Sequence, residues 1–362
     1  MFFNIDGDDG HAIRGWIVLD NPAAEPSLIA VVPGRGEVLI RADIQRVDVR
    51  DLGIHTTGKV GFHVDDTAVP GLASLEDLSL LEAESRLLIF RRSTPLHLKK
   101  KVYFFDAGIL PQNPISQALE QNFTMSYFGS EKHSLETMLV LINNHAVNSI
   151  LLQGRSNFNR YSSFLNNADF MRIALLREPF EELAERILYL KILGRMRATS
   201  PLAPDLAHLG PLIDFAIDVP VDDAKGMLGA FRRLAPELRD RLANPMTRLF
   251  GCNIDEQPQR RHVSVALENL ASMDVVGTKE GFDLFRDLVA GHLGRNVMVD
   301  VAPHRIELAE TLGKVLGEIG LVADLLAYDL DLYQFAGEAI VSAFEAGTGL
   351  VTRHTEMSTE RF

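Results

Sequence analysis

The hydrophobic pattern of this chain changes near residue 100, which excludes a fold built on one uniform sheet. Up to about residue 92, short alternating segments are separated by Asn-Pro, Pro-Gly-Arg-Gly and Leu-Gly breaks, a pattern typical of antiparallel strands joined by turns. Residues 102–105 then form a continuous apolar run, which suits a strand buried on both faces. The sequence therefore predicts two regions with different sheets.

The first region, residues 1–95, is predicted to be a small all-β sandwich or barrel. Its predicted strands are residues 12–18, 27–32, 37–40, 44–49, 59–64 and 86–90. Gly15-Trp16 and Gly61-Phe62 resemble paired landmarks in small β modules attached to bacterial glycan-synthesis enzymes. Trp16 and Phe62 are expected to anchor the core, because large aromatic side chains dominate small cores.

The second region, residues 96–362, is predicted to be an α/β domain with a helical C-terminal half. Strands at 102–105, 149–153 and 171–176 alternate with helices at 115–122, 134–143 and 180–193, and such alternation indicates a parallel sheet. Amphipathic helices are predicted at 225–234, 281–293 and 305–319.

Charge and composition exclude several kinds of protein. A net charge of −13 opposes binding to nucleic acid, and a single cysteine, Cys252, allows no internal disulfide or cysteine zinc cage. No apolar run approaches the roughly 20 residues of a membrane span, and the acidic first ten residues do not resemble a secretion signal. We therefore expect a cytoplasmic protein, and the scattered histidines predict no metal.

The segment Leu-Leu-Arg-Glu-Pro-Phe-Glu at 175–181 carries the clearest chemical signal. It predicts a buried strand that ends in Arg177, followed by Pro179 in the first turn of a helix. Proline is tolerated there because the N–H that it lacks would have no partner within the helix. An arginine beside a helix start is well placed to bind an anion, and the alternative from the residue alone is a structural salt-bridge partner. The segment resembles the Leu-Arg-Asp-Pro element with which sulfotransferases hold the 3′-phosphate of 3′-phosphoadenosine 5′-phosphosulfate (PAPS).

Further segments resemble that family in the same order. Residues 149–158 are similar to its strand ending in Gly-His, 244–251 to its Asn-x-x-Thr-Arg stretch, 273–284 to its Phe-Asp-x-Val-Gly segment, and 328–336 to its late Leu-Asp-x-x-Leu-Tyr helix. The resemblance covers about 101–340 and implies a P-loop-like carbohydrate sulfotransferase fold. It also implies sulfuryl transfer from PAPS to a sugar hydroxyl of a bacterial surface glycan.

The resemblance assigns roles to individual residues. Arg177, Ser116 and Arg248 would contact the donor, and Arg155 would join them as an anion ligand. The family's general base falls on Arg155, which stays protonated and cannot accept a proton. His133 or His145 would then be the base.

Besides Arg155 at the general-base position, two further departures from the family pattern put activity in question. The loop at 106–116, expected to hold the phosphosulfate, contains no lysine but does contain Asp106 and two prolines. Glu185 occupies the position of a phosphate-binding serine, where its carboxylate would repel the 3′-phosphate unless it is simply a helix-surface acid.

Two alternatives therefore stand beside the enzyme. The chain could be a catalytically silent pseudo-sulfotransferase that binds a glycan or a glycan-synthesis enzyme. It could also be a transferase for another anionic donor, held by Arg155, Arg160 and Arg177. The sequence does not indicate an oligomeric state.

Overall fold

The computed structural model describes residues 1–21, 24–201 and 204–359. The N-terminal region consists of antiparallel strands with one short helix, α1 (Val47–Asp51). Its strands are β1 (Phe2–Asp8), β2 (Ile13–Val18), β3 (Ser27–Val32), β4 (Gly36–Arg41), β5 (Ile44–Gln45), β6 (Lys59–Val64), β7 (Ser79–Glu82) and β8 (Leu88–Arg91). They form two sheets with the orders β1-β2-β6-β5 and β4-β3-β7-β8.

The prediction of antiparallel strands is confirmed, with local errors. The predicted strand at 44–49 is wrong in its second half, where α1 begins and buries Val49 against Val18 and Val60. The strands β1 and β7 were not predicted from the pattern. β1 contains Asp6 and Asp8, and its pairing with β2 depends on tertiary contacts that the local composition does not reveal.

The two Gly-aromatic pairs of the N-terminal region lie side by side in the sheet. Gly15 pairs with Phe62 and Trp16 pairs with Gly61 across β2 and β6. Phe62 is 2% exposed, and a Cβ atom on Gly15 would lie 2.6 Å from its Cζ. Gly15 therefore leaves room for Phe62, whereas a Cβ atom on Gly61 would crowd Ile44 and Arg46.

The second region is mixed α/β, as predicted. A parallel sheet has the strand order β10-β11-β9-β12-β13, with β9 (Lys101–Asp106), β10 (Met125–Phe128), β11 (Ile150–Gly154), β12 (Phe170–Leu176) and β13 (Val275–Thr278). The helices between these strands are α2 (Asn113–Glu120), α3 (Leu135–Ile142), α4 (Phe158–Asn167), α5 (Pro179–Arg197), α6 (Gly210–Asp218), α7 (Ala224–Arg232), α8 (Pro236–Leu242), α9 (Pro245–Gly251) and α10 (Arg260–Ala271).

The helical C-terminal half continues after β13 with α11 (Phe282–Leu293), α12 (Ala309–Gly317), α13 (Gly320–Leu325) and α14 (Ala327–Thr359). The prediction of a buried β9 is also confirmed, since every residue from Val102 to Asp106 is buried. β10 and β13 are short strands that the pattern did not reveal.

The backbone contacts divide the chain into two compact units. One comprises Met1–Tyr103, Ser116–Gln153 and Ser163–Met171; the other comprises Phe104–Ile115, Gly154–Ser162 and Arg172–Phe362. In the second unit, α5 packs with α6 and α12 around an apolar core that includes Leu183, Ile187, Ile213 and Leu316. The predicted domain boundary at residue 95 stays a prediction.

Among the described residues, no helix is both long enough and apolar enough to cross a bilayer.

Candidate functional site

Arg177 directly follows β12 and precedes α5, as predicted. Glu178 is the N-cap of α5, and its carboxylate accepts the backbone N–H of Glu181 at 2.6 Å. Pro179 provides no N–H in the first turn. The start of α5 is therefore already capped by the protein's own carboxylate, which occupies the N–H that an external anion would use.

The guanidinium of Arg177 lies inside the protein rather than at an open edge. Arg177 is 0% exposed, and its Nη2 donates to Asp106 Oδ1 at 2.9 Å. A Cβ atom on Gly108 would lie 3.0 Å from Arg177 Nε, so the backbone of the loop after β9 covers the guanidinium. Nε and Nη1 have no hydrogen-bond partner within the described part of the chain.

Several carboxylates stabilise the positive charge of Arg177. Burial alone would lower its pKa, but the charges of Asp106, Glu185 and Glu182 outweigh this effect and raise it. Asp106 also accepts the backbone N–H of Gly108 at 3.1 Å. The loop carboxylate that departs from the family pattern is therefore the principal partner of Arg177.

Glu185 lies on α5, one turn after Glu181, and belongs to a second buried ion pair. Its carboxylate contacts the ammonium of Lys279, which also lies 2.8 Å from Glu181 Oε1. Lys279 is 1% and Glu185 2% exposed, so the alternative of a helix-surface acid is wrong. Burial raises the pKa of Glu185, although Lys279 opposes the rise.

Hydrogen bonds hold the far end of the loop after β9 in place. Gln112 is 1% exposed, and its amide accepts the backbone N–H of His304 at 2.8 Å and donates to the His304 carbonyl at 3.3 Å. The ring Nδ1 of His304 lies 3.1 Å from the carbonyl of Pro111. These contacts hold the loop in the position in which it covers Arg177.

Arg155 and Arg248, both predicted to bind an anion, line one cavity of about 480 Å³. Two further arginines, Arg186 and Arg241, share this cavity with them. Its remaining lining residues are Ile109, His208, Leu209, Leu212, Glu237, Asp240 and Gln257. We call this space the arginine cavity; Arg177 and Arg160 are not among its lining residues.

Arg248 reaches the arginine cavity from α9, whose orientation is fixed by an exchange of caps with α14. Asp329, 1% exposed, accepts the backbone N–H groups of Met246 and Thr247 at 2.9 and 2.7 Å. The side chain of Asn244 in turn accepts the N–H groups of Tyr328 and Asp329. The residues that resemble the family at 244–251 and 328–336 therefore cap each other's helices.

The guanidinium of Arg248 is held by neutral acceptors. It donates to the carbonyl of Asp240 at 2.8 Å, to Gln257 Oε1 at 2.9 Å and to the carbonyl of Glu256 at 3.4 Å. Arg241 Nη2 donates to the His208 carbonyl at 3.1 Å. Arg186 differs, since it is buried and paired with Glu182 at 2.7 Å.

The other predicted site residues lie elsewhere. Ser116 is half-buried in α2 and its hydroxyl donates to Gln153 at 3.0 Å. His133 follows the carboxyl end of β10 and is half-buried, and burial lowers its pKa. His145 is exposed in the connection that leads into the amino end of β11. Arg160 stacks over the ring of Tyr161 at 5.6 Å.

Sequence reasoning missed Lys279, Arg186 and Arg241. Lys279 follows the carboxyl end of β13, so the rule that identified Arg177 could also have identified it. Arg186 lies four residues after Glu182, a spacing that is common in exposed helix-surface pairs, whereas both of these side chains are only 3% exposed. Arg241 carries no sequence signal that distinguishes it from Arg239 on the same short helix.

No known protein family model matches this chain, and no curated protein is significantly similar to it. Among the described residues, no cluster of three or more His, Cys, Asp or Glu side chains is arranged to hold a metal ion.

Proposed function

We propose that this protein is a sulfotransferase-like binding protein that holds a glycan and does not transfer sulfate from PAPS. The observation that carries the proposal is the buried pair between Arg177 and Asp106. The residue expected to bind the 3′-phosphate is covered by its own loop and has an internal carboxylate as its partner.

The residues around Arg177 do not fit PAPS. The unpartnered Nε and Nη1 atoms could donate to a phosphate, but they become accessible only if the loop after β9 moves. Asp106 would then lose its partner, and breaking a buried ion pair costs about 3–5 kcal/mol. The loop offers no lysine in return, and Lys279 already neutralises Glu185.

Calorimetric titration with 3′-phosphoadenosine 5′-phosphate, the desulfated donor, tests this proposal. We expect no binding that depends on Arg177 at nucleotide concentrations up to about 1 mM, the range of very weak complexes. The matched variant is Arg177→Ala, and thermal unfolding of both proteins checks that they are folded. Micromolar binding that disappears in Arg177→Ala, or PAPS-dependent sulfation of a polysaccharide, would contradict the proposal.

Glycan binding is supported by a polar cavity in the unit that contains the N-terminal sheets. The cavity measures about 520 Å³, within the range of small-molecule sites. It is lined by Asp8, Glu76, Phe90, Arg91, Arg92, Ser93, Thr94, Pro95, Thr124, Ala146, Val147 and Asn148. Carboxylates, hydroxyls and amides are the groups that bind sugar hydroxyls, and Phe90 and Pro95 offer apolar surface to a sugar ring.

One wall of this polar cavity is rigid. Arg92, 9% exposed, donates to both carboxylate oxygens of Asp8 and to the carbonyls of Leu72, Leu75 and Gly10. Glu76, in contrast, is exposed and has no hydrogen-bond partner among the described residues. Its carboxylate is therefore available to accept ligand hydroxyls.

Binding to an array of neutral bacterial oligosaccharides tests the glycan part of the proposal. We expect binding to at least one oligosaccharide, and a loss of about fivefold or more with Glu76→Gln, because the amide keeps a neutral hydrogen bond that is about 1 kcal/mol weaker than one to a carboxylate. Glu84→Gln is the matched control, because Glu84 lies outside the cavity in the same region. An array without any signal, or equal loss with both variants, would contradict this site.

Sulfuryl transfer is the second candidate, and His133 is the observation that favours it. Burial lowers the pKa of His133, which keeps the ring neutral near pH 7, the form that a general base needs. The PAPS-dependent assay above decides between the candidates, with His133→Gln as the variant that would lose activity.

A further inference from the structure

We propose that the arginine cavity binds the ester group of a phosphate or sulfate monoester. This site is separate from the closed surroundings of Arg177, and the proposal holds whether or not the protein also binds a neutral glycan. Arg186 has a carboxylate partner, whereas Arg241 and Arg248 donate only to neutral oxygens of the described residues.

Two guanidinium groups of the arginine cavity have no carboxylate partner among the described residues. Arg241 makes one hydrogen bond, from Nη2 to a backbone carbonyl. Arg248 donates only to carbonyl and amide oxygens. Because those acceptors are neutral, no carboxylate offsets the positive charge of either side chain.

Three hydrogen bonds to neutral acceptors fix the plane of the Arg248 guanidinium, and one holds an end of the Arg241 guanidinium. Asp240 and His208 contribute backbone carbonyls to Arg248 and Arg241 respectively. Arg248 Nη2 already donates to two acceptors, so only its Nε and Nη1 can still contact a ligand, whereas Arg241 retains parallel N–H groups that match two oxygens of a phosphate or sulfate. The geometry therefore suits a tetrahedral oxyanion better than a single point charge.

The other charges around the arginine cavity limit what it can hold. Arg186 is neutralised by Glu182, while Arg155 adds a further half-buried guanidinium. Glu237 and Asp240 line the same cavity and are exposed. Their carboxylates repel a polyanion but accept hydroxyl groups, which favours a ligand with one ester group on a hydroxyl-bearing body.

The size and the apolar lining agree with such a ligand. A volume of about 480 Å³ accommodates a small organic molecule beside the ester group. Ile109, Leu209 and Leu212 provide apolar surface on which carbon atoms of the ligand body can rest.

Calorimetry of the full chain at low salt tests the proposal with glucose 6-phosphate, glucose 6-sulfate and glucose as probes. We expect both esters, or one of them, to bind and glucose not to bind, and added salt to weaken the binding. Whichever ester binds more tightly identifies phosphate or sulfate as the preferred group. No binding of either ester at tens of millimolar, roughly the weakest measurable affinity, would overturn the proposal.

Arg241→Ala and Arg248→Ala locate the site. Each is expected to weaken ester binding by about tenfold or more, since hydrogen bonds between charged groups are lost. Arg239→Ala is the matched control, because Arg239 is exposed on the same helix and does not line the cavity. If Arg248→Ala does not fold, Arg241→Ala and Arg241→Lys still decide, and equal binding by Arg239→Ala and Arg241→Ala overturns the proposal.

Discussion

At the scale of single residues, Gly15 is required by the approach of two strands. A Cβ atom at this position would lie 2.3 Å from the carbonyl oxygen of Asn4 and 2.6 Å from Phe62 Cζ. The first contact is with backbone, which cannot rotate away. The absence of a side chain at Gly15 is therefore what permits both the strand pairing and the burial of Phe62.

We expect Gly15→Ala to destabilise the N-terminal sheets by about 1–3 kcal/mol, as overpacking of cores does. Urea unfolding followed by the fluorescence of Trp16, the chain's single tryptophan, measures this change. Gly7→Ala is the matched control, because a Cβ atom on Gly7 would meet nothing within 4 Å. Equal unfolding midpoints for the two variants would show that β1 and β2 can move apart without loss of stability.

Arg177 lies at its predicted position, but its guanidinium is not accessible to an external anion as the prediction requires. It follows a buried strand, as the sequence indicates, yet its partner Asp106 lies 71 residues away along the chain. A local pattern contains no information on that partner. The sequence showed that a lysine was missing from the loop, and the structure shows that the loop covers the arginine.

At the scale of elements, the starts of α9 and α14 depend on each other. Asp329 caps α9 and Asn244 caps α14, and Asn244 adopts the left-handed conformation with φ 46°. This exchange orients the helix that carries Arg248 towards the arginine cavity. Both segments therefore have a structural role in helix capping.

This cap makes stability depend on pH. Burial raises the pKa of Asp329 to about 6, above the ordinary value near 3.8, so the folded state binds the proton more tightly than the unfolded state. The stabilisation is present below about pH 4 and is lost as the pH rises through about 6. The change is on the order of 3 kcal/mol, from a shift of about two units.

Asp329→Asn tests that dependence. We expect the wild type to lose stability relative to Asp329→Asn as the pH rises from about 4 to 6. Asp331→Asn, on the same helix and without a hydrogen bond to α9, should show no such shift. Urea titrations at several pH values provide the measurement, and parallel curves for all three proteins would refute the assignment.

At the scale of the whole molecule, positive side chains are concentrated at one cavity although the net charge of the chain is negative. The chain carries a net charge of −13, yet four arginines line one cavity. The overall charge disfavours nucleic acid, as the composition indicates. It does not disfavour a small anion, because a ligand inside a cavity interacts mainly with the charges that line it.

The sequence by itself determined the antiparallel N-terminal strands, the mixed α/β class of the second region and the absence of a lysine from the loop after β9, because hydrophobic periodicity and residue identity are local properties. Only the tertiary structure decided that Asp106 pairs with Arg177, that Lys279 neutralises Glu185, and that Arg241 joins Arg248. These contacts connect residues that are distant along the chain, and packing of the strands and helices brings them together. Buried charges need partners, and the fold selects which ones.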